Sequence, residues 1–276
     1  AGTPSVQPGP YGSHVGRLDL TLSHRGGRWQ VSAHQAQVIA ADALPEAADL
    51  RQRLAPAHDW VLSELRKPVG NLSAPVHSYL GVLPGCKSVQ MIALAQRAHV
   101  RDQLVGTQWQ DLPVLSAASP QRGGGRGGPG NFTHIDAGPV ALSHITSLQY
   151  FPNDISAIIL NGAEIADWLE MSAGLYRTIT PGVQDQPLQD PGIPCYNSDT
   201  VFGLDYEIDL TQAPRFSSEG VLVAPESYRI RNLTWQGQAL QAEQRFVLAV
   251  NNYRSGGGGG FPHVSPERII LQDKVK

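Results

Sequence analysis

Tyr150-Phe151-Pro152-Asn153-Asp154-Ile155-Ser156-Ala157-Ile158-Ile159-Leu160-Asn161-Gly162-Ala163-Glu164-Ile165-Ala166-Asp167-Trp168-Leu169-Glu170 is the stretch that decides the fold class. Ile155 to Leu160 is a short apolar run, the length of a strand covered on both faces rather than of a helix. Asn161-Gly162 signals a turn, and a helix is expected from about Ala163 to Ala173. A buried strand feeding a helix makes this a layered protein of sheet and helices. Ahead of the strand, Tyr150 and Phe151 are adjacent aromatics, so at least one of them cannot be core. A ring stiffened by a following Pro152 is a platform on which a planar ligand ring, such as a nucleobase, can stack.

Working outward, Ser88 to Leu104 carries Val89, Ile92, Ala93, Gln96 and Val100 on one helical face, with Ser88 placed to cap it. Pro113 to Ala118 reads as a short buried strand. Val140 to Leu148 has helix character, and Tyr206 to Leu210 and Arg245 to Val250 read as strands. Toward the N-terminus, the alternating Val15, Leu18, Leu20 and Leu22, then Arg25-Gly26-Gly27-Arg28, predict a hairpin. Leu50, Leu54, Ala57, Val61, Leu62 and Leu65 recur at helical spacing between Pro45 and Pro68, with Pro56 expected to bend the helix. Strands and helices without a strict alternating rhythm make the fold class α+β: mixed sheets packed with helices, preceded by a long linker helix.

The chain has 276 residues, 41% of them hydrophobic and 16% charged, with 29 glycines and 21 prolines, which describes a loop-rich globular protein. A net charge of −3 lacks the basic surplus of a nucleic-acid polymer binder. No stretch is apolar for long enough to cross a bilayer, and Ala1 opens without a signal-peptide pattern. Cys86 and Cys195 have no ligand spacing; they could pair across a long loop but are read as buried free thiols.

His14, in Gly12-Ser13-His14-Val15-Gly16, is the most tempting catalytic residue, but one histidine does not make a metal site and it is read as structural. The other histidines are scattered, and no nucleophile-elbow string is present. The loop Gln121 to Gly130 lacks the Lys-Ser/Thr ending of a phosphate loop, and Gly256 to Gly260 is similarly plain. Each still stands beside functional-looking residues: Ser116 and Arg126 in one case, Tyr253 and Phe261 in the other.

Several strings in order resemble the C-terminal domain of the 5'-nucleotidase superfamily, most closely its periplasmic 2',3'-cyclic-nucleotide 2'-phosphodiesterase/3'-nucleotidase branch. They are Ser88-Val89-Gln90, Leu115-Ser116-Ala117-Ala118, Gly125-Arg126-Gly127-Gly128, Tyr150-Phe151-Pro152-Asn153, Trp168 to Gly174, Tyr206 to Gln212, and Asn251-Asn252-Tyr253-Arg254. The resemblance implies that residues 1–42 are the end of a metallophosphoesterase domain, 43–68 a linker helix and 69–276 the substrate-binding domain. Two divalent metals are then expected in a domain upstream of Ala1, with no catalytic residue, metal ligand or cofactor in this chain, which is expected to be inactive alone. Phe151 and Phe261 fall on the family's base-stacking pair, Ser116 on a polar substrate contact and Arg126 on an approach to phosphate, with Asn153 and Tyr253 as further substrate contacts. The family's ribose-binding carboxylate has no counterpart after Phe261, where Pro262-His263-Val264 follows. A nucleoside or nucleotide ligand, a periplasmic or otherwise extracytoplasmic location and a monomer are the accompanying expectations. The alternatives are the substrate domain of a 5'-nucleotidase/UDP-sugar hydrolase, or a non-enzymatic nucleotide-binding surface module.

Overall fold

The computed structural model describes residues 3–9 and 12–273, with all their side chains except those of Ala43 and Arg126. The chain divides into two units, Ala1–Glu64 and Leu65–Lys276. In the first, β1 (His14–Arg25) and β2 (Arg28–Ala40) form the expected antiparallel hairpin. Its turn residues Gly26 and Gly27 have φ of 57° and 76°, the mirror-image turn that matches strand twist and that side chains beyond glycine resist. The helix expected between Pro45 and Pro68 is α1 (Ala48–Leu65), and Pro56 lies inside it, where its ring removes one backbone hydrogen bond.

The second unit begins with β3 (Pro68–Leu72), β4 (Val76–His77), α2 (Lys87–Leu104) and β5 (Val114–Ala118). It continues through β6 (His134–Ile135), β7 (Gly138–Ala141), α3 (Leu142–Leu148), β8 (Ile155–Asn161) and α4 (Gly162–Ala173). After β9 (Thr200–Phe202), β10 (Asp205–Ile208), β11 (Ile230–Trp235) and β12 (Gln238–Ala239) come β13 (Arg245–Asn251), the one-turn helix α5 (Asn252–Ser255) and β14 (Ile269–Gln272).

The centre is a five-stranded sheet in the order β14-β8-β13-β5-β9. β13 runs parallel to β5 and antiparallel to β8, while β14 and β9 join antiparallel at the edges. The apolar runs of β8 and β13 are unbroken because both faces are covered. On one face Ile158, Leu160, Phe246 and Leu248 meet Ile165, Trp168 and Leu169 of α4. On the other, Ala157, Val247 and Ala249 meet Val100 and Leu104 of α2. The mixed strand directions place the fold in the α+β class expected from the sequence.

Three local expectations change. Val140 and Ala141 belong to β7, paired with β3, so the helix begins only at Leu142; the pairing overrides the helical pattern. Ser88 does not cap α2: the cap position is Cys86, whose side chain makes no capping bond, and Ser88 is buried inside the helix. Asn161 is the N-cap of α4 rather than a turn residue. Its Oδ1 accepts from the Glu164 N–H at 2.9 Å, and Glu164 Oε2 accepts from the Asn161 N–H at 2.9 Å, a reciprocal capping box. Cys86 and Cys195 are unpaired and half-buried.

Asn161→Ala is expected to destabilise the chain by about 1 kcal/mol, whereas Asn161→Asp, which keeps the accepting oxygen, stays close to wild type. Urea midpoints of the two variants check this, and equal midpoints would contradict the capping role.

Candidate functional site

β5 and β13 run parallel, so their C-terminal ends open on the same side of the sheet, and antiparallel β8 begins there. Such a position is where open sheets bind ligands. Ser119 and Gln121 follow β5, Phe151 to Asn153 precede β8, and Asn251, Tyr253 and Arg254 leave β13. Together with Tyr196 these residues line a cleft of about 360 Å³.

Phe151 is 42% exposed on this cleft. Its N–H donates to Gln121 Oε1 at 2.9 Å, and its carbonyl accepts from the Asn153 N–H at 2.8 Å and from Gln149 Nε2 at 3.2 Å. The Tyr150 ring stands edge-on to it at 5.3 Å between centroids. The Arg122 guanidinium lies 5.6 Å from the Tyr150 ring and is held by Asn131 and Ser147. An apolar ring is thereby kept half-exposed on the cleft by its backbone bonds.

Tyr253, 46% exposed, is a second ring on the cleft, with the Tyr196 ring at 6.4 Å in a T-shaped contact. The loops bearing Phe151 and Tyr253 are tied directly. The Asn252 N–H donates to the Asp154 carbonyl at 2.9 Å, and the Asp154 N–H donates to Asn252 Oδ1 at 3.2 Å. These bonds extend the β8–β13 pairing one step past Asn251 and Ile155.

Beneath the rings sits Arg254, 4% exposed. Its Nε and Nη2 donate to Asp199 Oδ2 and Oδ1 at 3.0 and 2.8 Å, a two-point ion pair. Nη2 also donates to the Tyr196 carbonyl at 2.7 Å and Nη1 to the Gly258 carbonyl at 2.6 Å, and the guanidinium lies 3.9 Å from the Phe261 ring centroid. Trp168 Nε1 donates to Asp199 Oδ2 at 3.1 Å, joining the pair to α4. Among the described side chains, the one charged group lining the cleft is therefore neutralised from behind. Its polar rim is made of amides and a hydroxyl: Gln121, Asn153, Asn251 and Ser119. Burial pushes the Cys195 thiol, next to Tyr196, above its ordinary value, so it is a neutral thiol and not a ready nucleophile.

Of the residues expected from the sequence, Phe151, Asn153 and Tyr253 come together on the cleft. Phe261 does not: it is 5% exposed and packs on Trp168 at 4.6 Å. The tight turns of Gly256 to Gly260 carry the chain back into the core before Phe261, so the ring that this segment leaves on the cleft is Tyr253. Ser116 is fully buried mid-strand, where its Oγ accepts from Gln96 Nε2 at 3.2 Å, which removes it from ligand contact. Arg126 lies in the 3-10 turn Gly125–Gly127, and its side chain is outside the described residues. Ser119, Gln121, Tyr196, Asn251 and Arg254 also line the cleft and were not among the site residues expected from the sequence. His14 is exposed at the start of β1, with Ser13 Oγ at 2.9 Å. Among the described residues, no three His, Cys, Asp or Glu side chains gather in a way that fits a metal ion.

The family model described as the 5'-nucleotidase C-terminal domain matches residues 82–266. The Bacillus subtilis trifunctional nucleotide phosphoesterase protein YfkN is 33% identical over 278 residues, covering 100% of this chain and 19% of that protein. The Salmonella typhimurium 2',3'-cyclic-nucleotide 2'-phosphodiesterase/3'-nucleotidase is 34% identical over 268 residues, covering 93% of this chain and 41% of that protein. The chain thus spans less than half the length of either relative. Among solved structures, a Staphylococcus aureus protein assigned as a 5'-nucleotidase superposes with a TM-score of 0.66 at 18% identity, over 98% of this chain and 47% of that one. The Thermus thermophilus 5'-nucleotidase precursor gives 0.50 at 19% identity, over 93% and 43%. These two likenesses are of fold.

Removing Arg254 leaves Asp199 buried without its partner, so Arg254→Ala is expected to cost about 3–5 kcal/mol of stability. Arg254→Lys, lacking the fork, should recover only part of it. Denaturant unfolding of both variants measures this, and a loss under about 1 kcal/mol in Arg254→Ala would show that the pair does not hold the site.

Proposed function

We propose, starting from the fact that the chain belongs to the 5'-nucleotidase C-terminal-domain family, that its cleft holds the base of a nucleoside or nucleotide between Phe151 and Tyr253. The carrying observation is that two half-exposed aromatic rings, on loops tied to each other at neighbouring strand ends, share one cleft. Among the described residues its rim offers neutral hydrogen-bonding groups and no uncompensated charge, which suits a neutral planar heterocycle. Stacking tolerates base identity, and each base–aromatic contact is worth about 1–3 kcal/mol. Gln121, Asn153 and Asn251 have amide groups suited to base edges or ribose hydroxyls.

On this reading, 69–276 is the substrate-recognition part of a phosphoesterase that hydrolyses 2',3'-cyclic nucleotides and 3'-nucleotides. Residues 1–42 belong with a metal-bearing companion domain, and 43–68 is the connection. The names of the 31–34% identical relatives support that substrate class. Two divalent metals in the companion domain would supply an activated water and stabilise charge at phosphorus. The contribution of this chain is orientation: a base clamped at a fixed distance brings the ester into place. A periplasmic or otherwise extracytoplasmic location accompanies this reading, and none of the described helices is long and apolar enough to cross a membrane.

Phe151→Ala and Tyr253→Ala are each expected to weaken adenosine binding by about 1–3 kcal/mol in titration calorimetry, with folding retained. Unchanged affinity in both variants would reject the assignment. The 276-residue chain supplied with divalent metals is expected to bind adenosine without hydrolysing a 2',3'-cyclic nucleotide; metal-dependent turnover by it would overturn the division of labour.

A further inference from the structure

The Tyr253 side of the cleft has an unusual backing. A Cβ on Gly258 would stand 2.5 Å from Cε1, Cε2 and Cζ of the Tyr253 ring, so this ring lies directly on the bare backbone of residue 258. The neighbouring glycines have a conformational reason to be there: φ is 91° at Gly257, 80° at Gly259 and 68° at Gly260. The φ of Gly258 is not positive, so its backbone does not itself require glycine, and the nearest atoms a Cβ would meet are those of the ring. The residue 258 peptide is also pinned, because its carbonyl accepts from Arg254 Nη1 at 2.6 Å and Arg254 is itself fixed on Asp199. Of the two partners in the contact, the ring is the one free to yield. Its exposed surface lines the cleft, so a push from Gly258 tilts it toward the space where a base would lie.

We propose that Gly258 is a specificity-determining position: its missing side chain lets Tyr253 lie back against the loop and sets an opening wide enough for a stacked heterocycle of purine size. This inference rests on the base-stacking reading. Any Cβ at 258 narrows the cleft and skews its two walls, without touching the ligand itself. Tyr253 is a contact residue, whereas Gly258 acts through it.

The test is a double-mutant cycle on the full chain, with adenosine as the probe and thermal unfolding as the second readout. Gly258→Ala is expected to weaken adenosine binding about tenfold or more, and to have no further effect in a Tyr253→Ala background, where there is no ring to displace. Wild-type binding with equal binding by Gly258→Ala overturns the inference and leaves the stacking reading standing. Equal losses from Gly258→Ala with and without the ring also overturn it. A wild-type chain that does not bind adenosine contradicts the stacking reading itself and takes this inference with it. Should Gly258→Ala unfold, the strain account requires Tyr253→Ala to restore its stability, and failure to restore it rejects the account.

Discussion

The buried pair of Arg254 and Asp199 is the constraint on which the rest of the site depends. A guanidinium in the interior is tolerable only when its donors are used, and here they reach a carboxylate and a carbonyl of the 196–199 segment and a carbonyl of the glycine loop. The carboxylate is bonded from α4 by Trp168, one carbonyl is that of Tyr196, and the other belongs to the glycine loop. One side chain thus ties the 196–199 segment to the glycine loop and, through Asp199, to α4. It also takes its own charge out of the cleft that it floors.

The consequence is a division between what holds the cleft and what faces it. Charge, strong hydrogen bonds and tight backbone turns are behind the wall; rings and neutral amides are in front. Phe151 and Tyr253 are exposed apolar surface that a fold does not require, yet each is fixed by its neighbours: Gln121 holds the Phe151 backbone, and Asn252 ties the two loops. Rings positioned in advance give up little freedom when a ligand arrives, which favours binding.

Much of this was legible in the residues. The unbroken apolar runs at Ile155 to Leu160 and Arg245 to Val250 report strands covered on both faces, and the Gly26-Gly27 turn forces the hairpin. Phe151 was legible as a surface ring because it follows another aromatic and precedes a proline. Phe261 and Ser116 were not placed correctly, and for different reasons. Which way Phe261 faces depends on positive-φ turns in the glycine run, and glycines in sequence do not say which of them are left-handed. Ser116 lies on a strand whose two faces are both interior, so alternation offers no outward side for it. Arg254 was invisible as a site residue because its role comes from Asp199, which lies 55 positions away.

The central claim is that a base sits between Phe151 and Tyr253, and the shielding of that base on binding tests it most directly. Adenosine titrated with the chain should show its H2 and H8 proton resonances moving upfield under the ring currents of the two aromatics, with transferred contacts from those protons to the Phe151 and Tyr253 rings. Adenine protons that contact residues outside this cleft, such as those of the Gly123 to Gly128 loop, with no upfield movement, would contradict it.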